Sequence, residues 1–177
     1  MKQGAEPLEI VEFGQLTLRQ LGQLAAGEAT PFGKAIHELE FRPKDHHFGA
    51  VDATGALVAA GGWDVISLEI DGYGALDVFG GGSLIVRRDY RNKGVGRLII
   101  DRLLARATAH ELPTLAFLCA DELVDMYQRL GFKPVTAPIW VEQRTGPVLY
   151  PGRMMWGSSD PYFTWPDGAV RVQGLPF

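Results

Sequence analysis

A short basic stretch that contains two glycines has the composition of an anion site. It runs Arg91-Asn92-Lys93-Gly94-Val95-Gly96-Arg97, between an apolar run and a segment with helical spacing. Free backbone N–H groups and a partial positive charge gather at the start of a helix, and glycine lets a ligand approach the backbone. The stretch therefore predicts a phosphate or diphosphate site where a strand turns into a helix. An ordinary strand-to-helix connection explains the same spacing equally well.

Two familiar phosphate-binding patterns do not occur in the sequence. There is no Gly-x-x-x-x-Gly-Lys-Ser/Thr stretch, and no Gly-x-Gly-x-x-Gly follows an early strand. These absences argue against a P-loop and against a dinucleotide-binding fold. The histidines, at positions 37, 46, 47 and 110, do not share a ligand spacing with the single cysteine, so no metal site is predicted.

The composition is that of an ordinary globular protein. The 177 residues are 46% hydrophobic and 21% charged, with a net charge of -4, which predicts one domain over residues 1–177. The mild acidity does not suggest a basic face for nucleic acid. A lone cysteine cannot form a disulfide within the chain, and no apolar run is long enough for a transmembrane helix. We therefore expect a cytoplasmic protein with no nucleic-acid or membrane partner, and leave a homodimer open.

The elements that precede the basic stretch combine helices with an antiparallel meander. We expect a strand at residues 8–13 and a helix capped by Thr17 that runs to Gly27. A second helix is predicted to open at Pro31 and to carry Phe32, Ala35, Ile36 and Leu39. Strands are then predicted at residues 48–51, 56–64, 65–70 and 73–86, with a turn at Asp71-Gly72.

The elements that follow complete an α+β, or mixed α/β, pattern. Apolar residues recur every four positions at Val95, Ile99, Leu103 and Ala107, which predicts an amphipathic helix over residues 94–110. We next expect a strand at 114–119, a short helix capped by Asp121 and stopped by Gly131, a strand at 135–141 that is interrupted by Pro138, and a strand at 169–173. Residues 142–168 are predicted to form a long aromatic loop. The order predicts a largely antiparallel sheet flanked by helices.

The basic stretch also carries a family resemblance. Arg91-x-x-Gly94-x-Gly96 resembles the Arg/Gln-x-x-Gly-x-Gly/Ala motif of the GNAT superfamily of N-acetyltransferases. Tyr127, four residues before Gly131-Phe132, is similar to the second signature of that superfamily. The motifs occur in the expected order, and the resemblance covers about residues 47–141. It implies an enzyme that transfers the acetyl group of acetyl-CoA directly to a primary amine, which we expect to belong to a small molecule.

The resemblance also implies a cofactor cleft beside the strand that ends at Val86. The backbone N–H of Val86 would stabilise the thioester carbonyl oxygen, and Tyr127 would protonate or position the departing sulfur. The residues implied for acetyl-CoA binding are Leu84, Ile85, Val86, Arg91, Asn92, Lys93, Gly94, Val95, Gly96, Arg97, Cys119 and Tyr127.

The sequence offers no obvious general base. The glutamate that several superfamily members use would fall within residues 80–83, which contain three glycines and a serine. Asp77 on the same strand and Glu69 on its neighbour are the candidate replacements, although each also fits a solvated carboxylate at a strand edge. The glycines would open space for an acceptor or permit a bulge. Because Ala120 also replaces the usual asparagine, a non-catalytic acyl-CoA-binding module is an alternative.

Aromatic residues near the C-terminus are candidate contacts for the acceptor. Trp156 and Trp165 have faces that suit organic or cationic amines, although such residues also cover sheets or form dimer contacts. Residues 140–147 and 165–172 are similar to the C-terminal part of aminoglycoside 2′-N-acetyltransferases. Antibiotic acetylation is therefore a specific alternative, in which Asp167 would bind cationic sugar amines.

Overall fold

The computed structural model describes residues 7–29 and 38–177, which form a ten-stranded mixed sheet with helices on both faces. The strands are β1 (Glu9–Phe13), β2 (His46–Val51), β3 (Leu57–Ile70), β4 (Gly74–Val86), β5 (Thr114–Cys119), β6 (Lys133–Pro134), β7 (Ile139–Gln143), β8 (Gly146–Leu149), β9 (Arg153–Ser158) and β10 (Val170–Val172). The helices are α1 (Leu18–Ala25), α2 (Val95–Ala109) and α3 (Val124–Arg129). The predicted α+β class is confirmed. No helix in these ranges is long and apolar enough to span a membrane.

The sheet follows the order β6-β9-β5-β4-β3-β10-β7-β8, with β2 also paired to β3 and β1 paired to β2. Most pairs are antiparallel, and the parallel pairs are β4 with β5 and β7 with β10. The helix predicted to open at Pro31 falls mostly on residues 30–37, which lie outside the described residues. Leu39, the last residue predicted for it, lies in a bend.

Helix α1 begins where the sequence predicts. The Thr17 hydroxyl accepts a hydrogen bond from the Gln20 N–H (3.2 Å), and Gln20 Oε1 accepts one from the Thr17 N–H (2.9 Å). This capping box satisfies two backbone donors at the start of the helix. Leu24 is fully buried, so the helix is held to the sheet by its apolar side.

Strands β3 and β4 form the long hairpin on which the molecule is organised. They pair from Ile70–Gly74 at the turn to Ala59–Val86 at the far end. In the half nearer the turn, Ile66, Leu68 and Ile70 are buried while Val65 is exposed, which is the period of two expected of a strand. The two predicted runs 56–64 and 65–70 are therefore one strand.

Helix α2 confirms the four-residue repeat. Val95, Ile99, Leu103 and Ala107 are all buried. They pack against Phe79 of β4 and the inward-facing residues of β5 in one hydrophobic cluster. This packing fixes the start of α2 beside the end of β4.

The segment after β5 differs from its prediction in three places. Asp121 lies in a 3₁₀ turn at residues 121–123, and its side chain does not cap α3. The two halves of the strand predicted at 135–141 pair with different strands: Val135 continues the pairing of β6 with β9, whereas β7 joins β8 and β10. Residues 142–168 are not a loop but contain β8 and β9. Consecutive buried residues in β9, such as Met154 and Met155, give no alternation because both faces are covered.

Strands β4 and β5 pair over only a short distance. Their parallel ladder runs from Phe79–Leu115 to Gly81–Phe117, and β4 then continues to Val86 while β5 continues to Cys119. The region between residues 82–86 of β4 and residues 118–119 of β5, where the two strands are not paired with each other, is here called the β4–β5 wedge.

Candidate functional site: a cleft between two diverging strands

A bulge shapes the β4 side of the wedge. Between the pairs Gly62–Gly82 and Ala60–Ile85, β3 advances two residues and β4 advances three. The extra residue is accommodated at Ser83, whose φ of 52° lies in the left-handed region. Such a bulge bends the strand and redirects its backbone groups.

The backbone of Val86 faces the wedge. The Arg87 N–H donates to Val58 O of β3 (2.8 Å). Because successive residues of a strand point their backbone groups to opposite sides, the N–H and C=O of Val86 point away from β3. They point to the side from which β5 has diverged, so this N–H is placed as a donor inside the wedge.

The start of α2 offers backbone donors and free space next to the wedge. Gly94 is the N-cap, with a φ of 79° and no side-chain cap, and the first helical bond runs from the Leu98 N–H to Gly94 O (3.1 Å). The N–H groups before Leu98 therefore have no intrahelical acceptor. A Cβ on Gly94 would meet nothing within 4 Å, and one on Gly96 would meet only Val86 Cγ2 at 3.5 Å. The cradle fits a pyrophosphate.

The basic residues of this turn differ in their partners. Arg91 Nε donates to Val86 O (2.9 Å), and its guanidinium forms a two-point ion pair with Glu28. The bond from Arg91 lowers the pKa of Glu28 below its usual value. Arg97 is paired with Asp101 (2.7 Å), and Lys93 lies over the Tyr90 ring. Arg91 thus braces the turn against β4 and the end of α1, and its charge is balanced by Glu28.

Tyr127 and Cys119 lie together at the β5 side of the wedge. The Tyr127 ring packs on Phe117, with ring centroids 4.5 Å apart. Phe117 is the last residue of β5 that pairs with β4. Burial, with a smaller contribution from Cys119, raises the pKa of Tyr127 well above its usual value. Burial raises the pKa of the Cys119 thiol to about 12. Both groups stay protonated at neutral pH, so Tyr127 can donate a proton or hydrogen bond and Cys119 is a poor nucleophile.

Tyr150 is a further residue of this region that sequence reasoning missed. Its hydroxyl is buried and has no hydrogen-bond partner within the described ranges. Burial, Cys119 and Asp121 raise its pKa. Tyr150 precedes β9, in a stretch that the sequence predicts to be loop, and no motif marks it.

Two of the predicted site residues lie away from the wedge. Asp77 is opposite Ser67 and Glu69 is opposite Ala75, in the half of the hairpin near its turn. Six residues separate Asp77 from Ser83, which corresponds to about 20 Å along a strand. The structure does not bring these carboxylates together with Val86 and Tyr127, so it gives no support to their role as bases.

The glycines of β4 are packed rather than open. A Cβ on Gly80 would lie 2.3 Å from Ile66 Cγ1, and one on Gly82 would lie 2.9 Å from Lys44 Cε and 3.1 Å from the Phe177 backbone. The expectation that the glycines open space for an acceptor is therefore wrong at these two positions, where they admit the side chains and main chain of neighbours.

The predicted acceptor residues do not form one site. Trp156 is buried and packs against Phe163 and Trp165, with ring centroids 5.4 and 5.9 Å away, so these aromatic rings cover the sheet. Asp167 is exposed and belongs to the bend in which Gly168 backs onto Asp71, at the β3–β4 turn. The position of Asp167 therefore does not support a role in binding an aminoglycoside.

The fold, the wedge and the glycine turn together define a class of acyl-CoA-binding transferase. Residues 43–134, just over half of the chain, match the model of the acetyltransferase (GNAT) domain. The chain belongs to the GNAT family, a family of acyl-CoA N-acyltransferases.

Solved structures share this fold at low sequence identity. YhbS from Escherichia coli, a GNAT family N-acetyltransferase in complex with CoA, is 15% identical, with 96% of each chain covered and a TM-score of 0.59. ElaA from Escherichia coli is 20% identical over 85% of this chain and 99% of its own, with a TM-score of 0.52. A GCN5-related N-acetyltransferase from Kribbella flavida is 21% identical over 73% of this chain, with a TM-score of 0.52, and this chain spans 33% of its length. No curated protein sequence matches the chain.

Proposed function

We propose that the protein transfers the acetyl group of acetyl-CoA directly to a primary amine of a small molecule. The observation that carries this proposal is the position of the glycine turn at the mouth of the β4–β5 wedge. A pyrophosphate on Gly94 and Gly96 would direct the pantetheine arm along residues 84–86. Residues 91–97 would hold the phosphates, and Cys119 would line the other side of the wedge.

Val86 and Tyr127 would carry the chemistry on the thioester. The Val86 N–H, which points into the wedge, would donate to the carbonyl oxygen as negative charge develops there. Tyr127 would donate to the departing sulfur, a role that suits a hydroxyl that stays protonated. Transfer would not pass through Cys119, because a thiol with a pKa raised to about 12 is hardly ionised at neutral pH.

The covering of the sheet face opposite α2 favours a small acceptor. Phe177 is only 3% exposed and lies over Gly80. Arg42 holds this tail, since its backbone N–H donates to Pro176 O (2.7 Å) and its guanidinium donates to Gln173 O (2.6 Å). A covered face leaves little room for a protein surface beside the thioester.

A panel of amines tests the proposal. Thiol release from acetyl-CoA would be followed with spermidine, tryptamine, amino acids, tobramycin and a lysine-containing peptide, and products would be identified by mass spectrometry. We expect at least one small amine to gain a single acetyl group. Acetylation of the peptide alone would contradict the small-molecule acceptor, and preferred acetylation of tobramycin at its 2′-amine would restore the aminoglycoside alternative.

A further inference from the structure

A buried amine lies on the sheet face opposite α2. Lys44 is 3% exposed, and its Nζ lies 3.7 Å from Asp64 Oδ2 of β3. Neither atom has a hydrogen-bond partner in the part of the chain that the structure describes. Buried polar atoms are nearly always hydrogen-bonded in folded proteins, so two facing atoms left without such a bond call for an explanation.

The pair lies next to the point where the wedge opens. Asp64 is directly opposite Gly80, and Gly81 is the last residue of β4 that pairs with β5. A Cβ on Gly82 would lie 2.9 Å from Lys44 Cε, and a Cβ on Gly62 would lie 2.5 Å from Lys44 Cγ. The amine therefore reaches β4 immediately before the bulge, across the sheet from α2.

The surroundings of Lys44 lower its pKa, so its neutral form is more populated than that of an exposed lysine. Burial lowers the pKa of Lys44 to about 8, Asp64 acts against this shift, and Arg42 adds to it. The other groups that face this space are His47, whose pKa burial also lowers, and the ring and main chain of Phe177. A proton acceptor with a pKa near the working pH is what general-base catalysis requires.

We propose that Lys44 and Asp64 form the pair that accepts the proton of the acceptor amine. This inference rests on the proposed function. The acceptor ammonium would pass one proton to the neutral Nζ of Lys44, and Asp64 would stabilise the resulting ammonium. The freed amine lone pair would form the C–N bond as the C–S bond breaks, and the electron pair of that bond would leave with the sulfur. Tyr127 would protonate the sulfur to the thiol, and the second proton, which the new amide nitrogen must lose, would restore the Tyr127 hydroxyl. Lys44, whose Nζ is buried, would then return its proton to solvent by way of Asp64, whose side chain is 14% exposed.

The glycines at positions 62 and 82 fit this role. Each lacks the Cβ that would collide with the Lys44 side chain, at 2.5 Å and 2.9 Å respectively. The candidates that the sequence offers, Asp77 and Glu69, lie nearer the hairpin turn. The structure instead brings together Asp64 of β3 and an amine from the segment before β2, separated by 20 positions in the chain.

The pH dependence of transfer tests the pair. Using the panel amine that is acetylated fastest, kcat/KM of the wild type should rise with an apparent pKa near 8. Lys44→Met should lower kcat about 100-fold and remove this rise. Asp64→Asn should move the rise to lower pH, because the loss of the carboxylate disfavours the charged form of Lys44 further. Asp71→Asn, at the turn of the same hairpin, is the matched control and should leave the profile unchanged.

Two readouts separate this inference from the proposed function. Acetyl-CoA affinity, measured by calorimetry, should be the same in all variants, since neither residue belongs to the glycine turn at residues 91–97. A Lys44→Met enzyme with the wild-type rate and profile would overturn the inference and leave the proposed function intact. If no panel amine is acetylated, the proposed function fails. The pair is then tested by labelling with acetic anhydride across pH, where Lys44 reactivity that follows an ordinary lysine pKa would contradict it.

Discussion

Burial sets the protonation of the side chains at the β5 side of the wedge. Tyr127 and Cys119 both have raised pKa values, because a charged phenolate or thiolate would lose its hydration there. The same burial that keeps Cys119 from acting as a nucleophile keeps Tyr127 available as a donor. Residue chemistry at this point therefore favours direct transfer over an acyl-enzyme route.

The Tyr127 hydroxyl is expected to matter for the rate and not for cofactor binding. Tyr127→Phe should lower kcat about 100-fold, because the departing sulfur loses its donor, with acetyl-CoA affinity little changed. Tyr150→Phe removes the other buried hydroxyl near Cys119 and should keep the wild-type rate. Steady-state kinetics with calorimetry measure both effects. Full activity in Tyr127→Phe would show that this tyrosine only fills the core.

The sequence predicts a site residue when that residue belongs to a short motif. Gly94 and Tyr127 stand in short patterns, and the structure places both at the wedge. Lys44 and Asp64 stand in no pattern, and only the register of β3 with β4 brings them beside Gly80 and Gly82. Asp77 is a candidate base because it lies on the same strand as the expected glutamate. The register of the hairpin places it near the turn, away from the bulge at Ser83.

A side chain in the turn before α2 bonds to two other parts of the fold. Arg91 binds both Val86 O and Glu28, so it links the turn to β4 and to the segment after α1. A guanidinium occupied in this way positions backbone donors. One N–H on each Nη remains for a phosphate, while Glu28 balances the charge of the guanidinium.

Variants of Arg91 and of Glu28 distinguish an arginine that binds phosphate from one that only holds the turn in place. If Arg91 contacts phosphate, Glu28→Gln should free it and strengthen acetyl-CoA binding a few-fold, whereas Arg91→Ala should weaken binding. Glu12→Gln, which breaks the comparable pair with Arg106 on the opposite part of α2, should change neither. Calorimetry at low ionic strength measures these affinities. Equal weakening by Glu28→Gln and Arg91→Ala would mean that Arg91 acts only as a brace.

Helix α2 is predictable because its apolar residues recur at helical spacing. Strand β5 is predictable as a short apolar run after Pro113, although nearly all of its residues are buried. Strand β9 is not evident from the sequence, because Met154 and Met155 are adjacent and both buried and the surrounding stretch is rich in glycine, proline and aromatic residues. The interruption at Pro138 is predictable from the proline, but the strand with which each half pairs is not.

Stability of the whole molecule should respond to the buried lysine. The folded-state pKa of Lys44 is about 8, below its ordinary value of 10.5, so the unfolded chain binds more protons between these values. The unfolding free energy should therefore rise with pH in this window, by about 1 kcal/mol between pH 8 and 9 relative to Lys44→Met. Cys119, Tyr127 and Tyr150 have raised pKa values and act in the opposite direction at higher pH, but they are common to both proteins.

Urea unfolding at pH 7, 8 and 9 measures this difference. Lys133→Met removes an exposed lysine and should follow the wild type at each pH. A constant offset between wild type and Lys44→Met across the series would mean that Lys44 does not titrate in this window.

The central claim is that the glycine turn at the β4–β5 wedge binds the pyrophosphate of acetyl-CoA. Calorimetric titration of acetyl-CoA, with ATP as a control, tests it on the wild type and on two glycine variants. Gly94 and Gly72 share a φ of 79° and open space at the Cβ position, so Gly94→Glu and Gly72→Glu impose the same backbone strain at opposite ends of the molecule. We predict saturable binding of acetyl-CoA that Gly94→Glu abolishes and Gly72→Glu retains. Undiminished binding by Gly94→Glu would contradict the account.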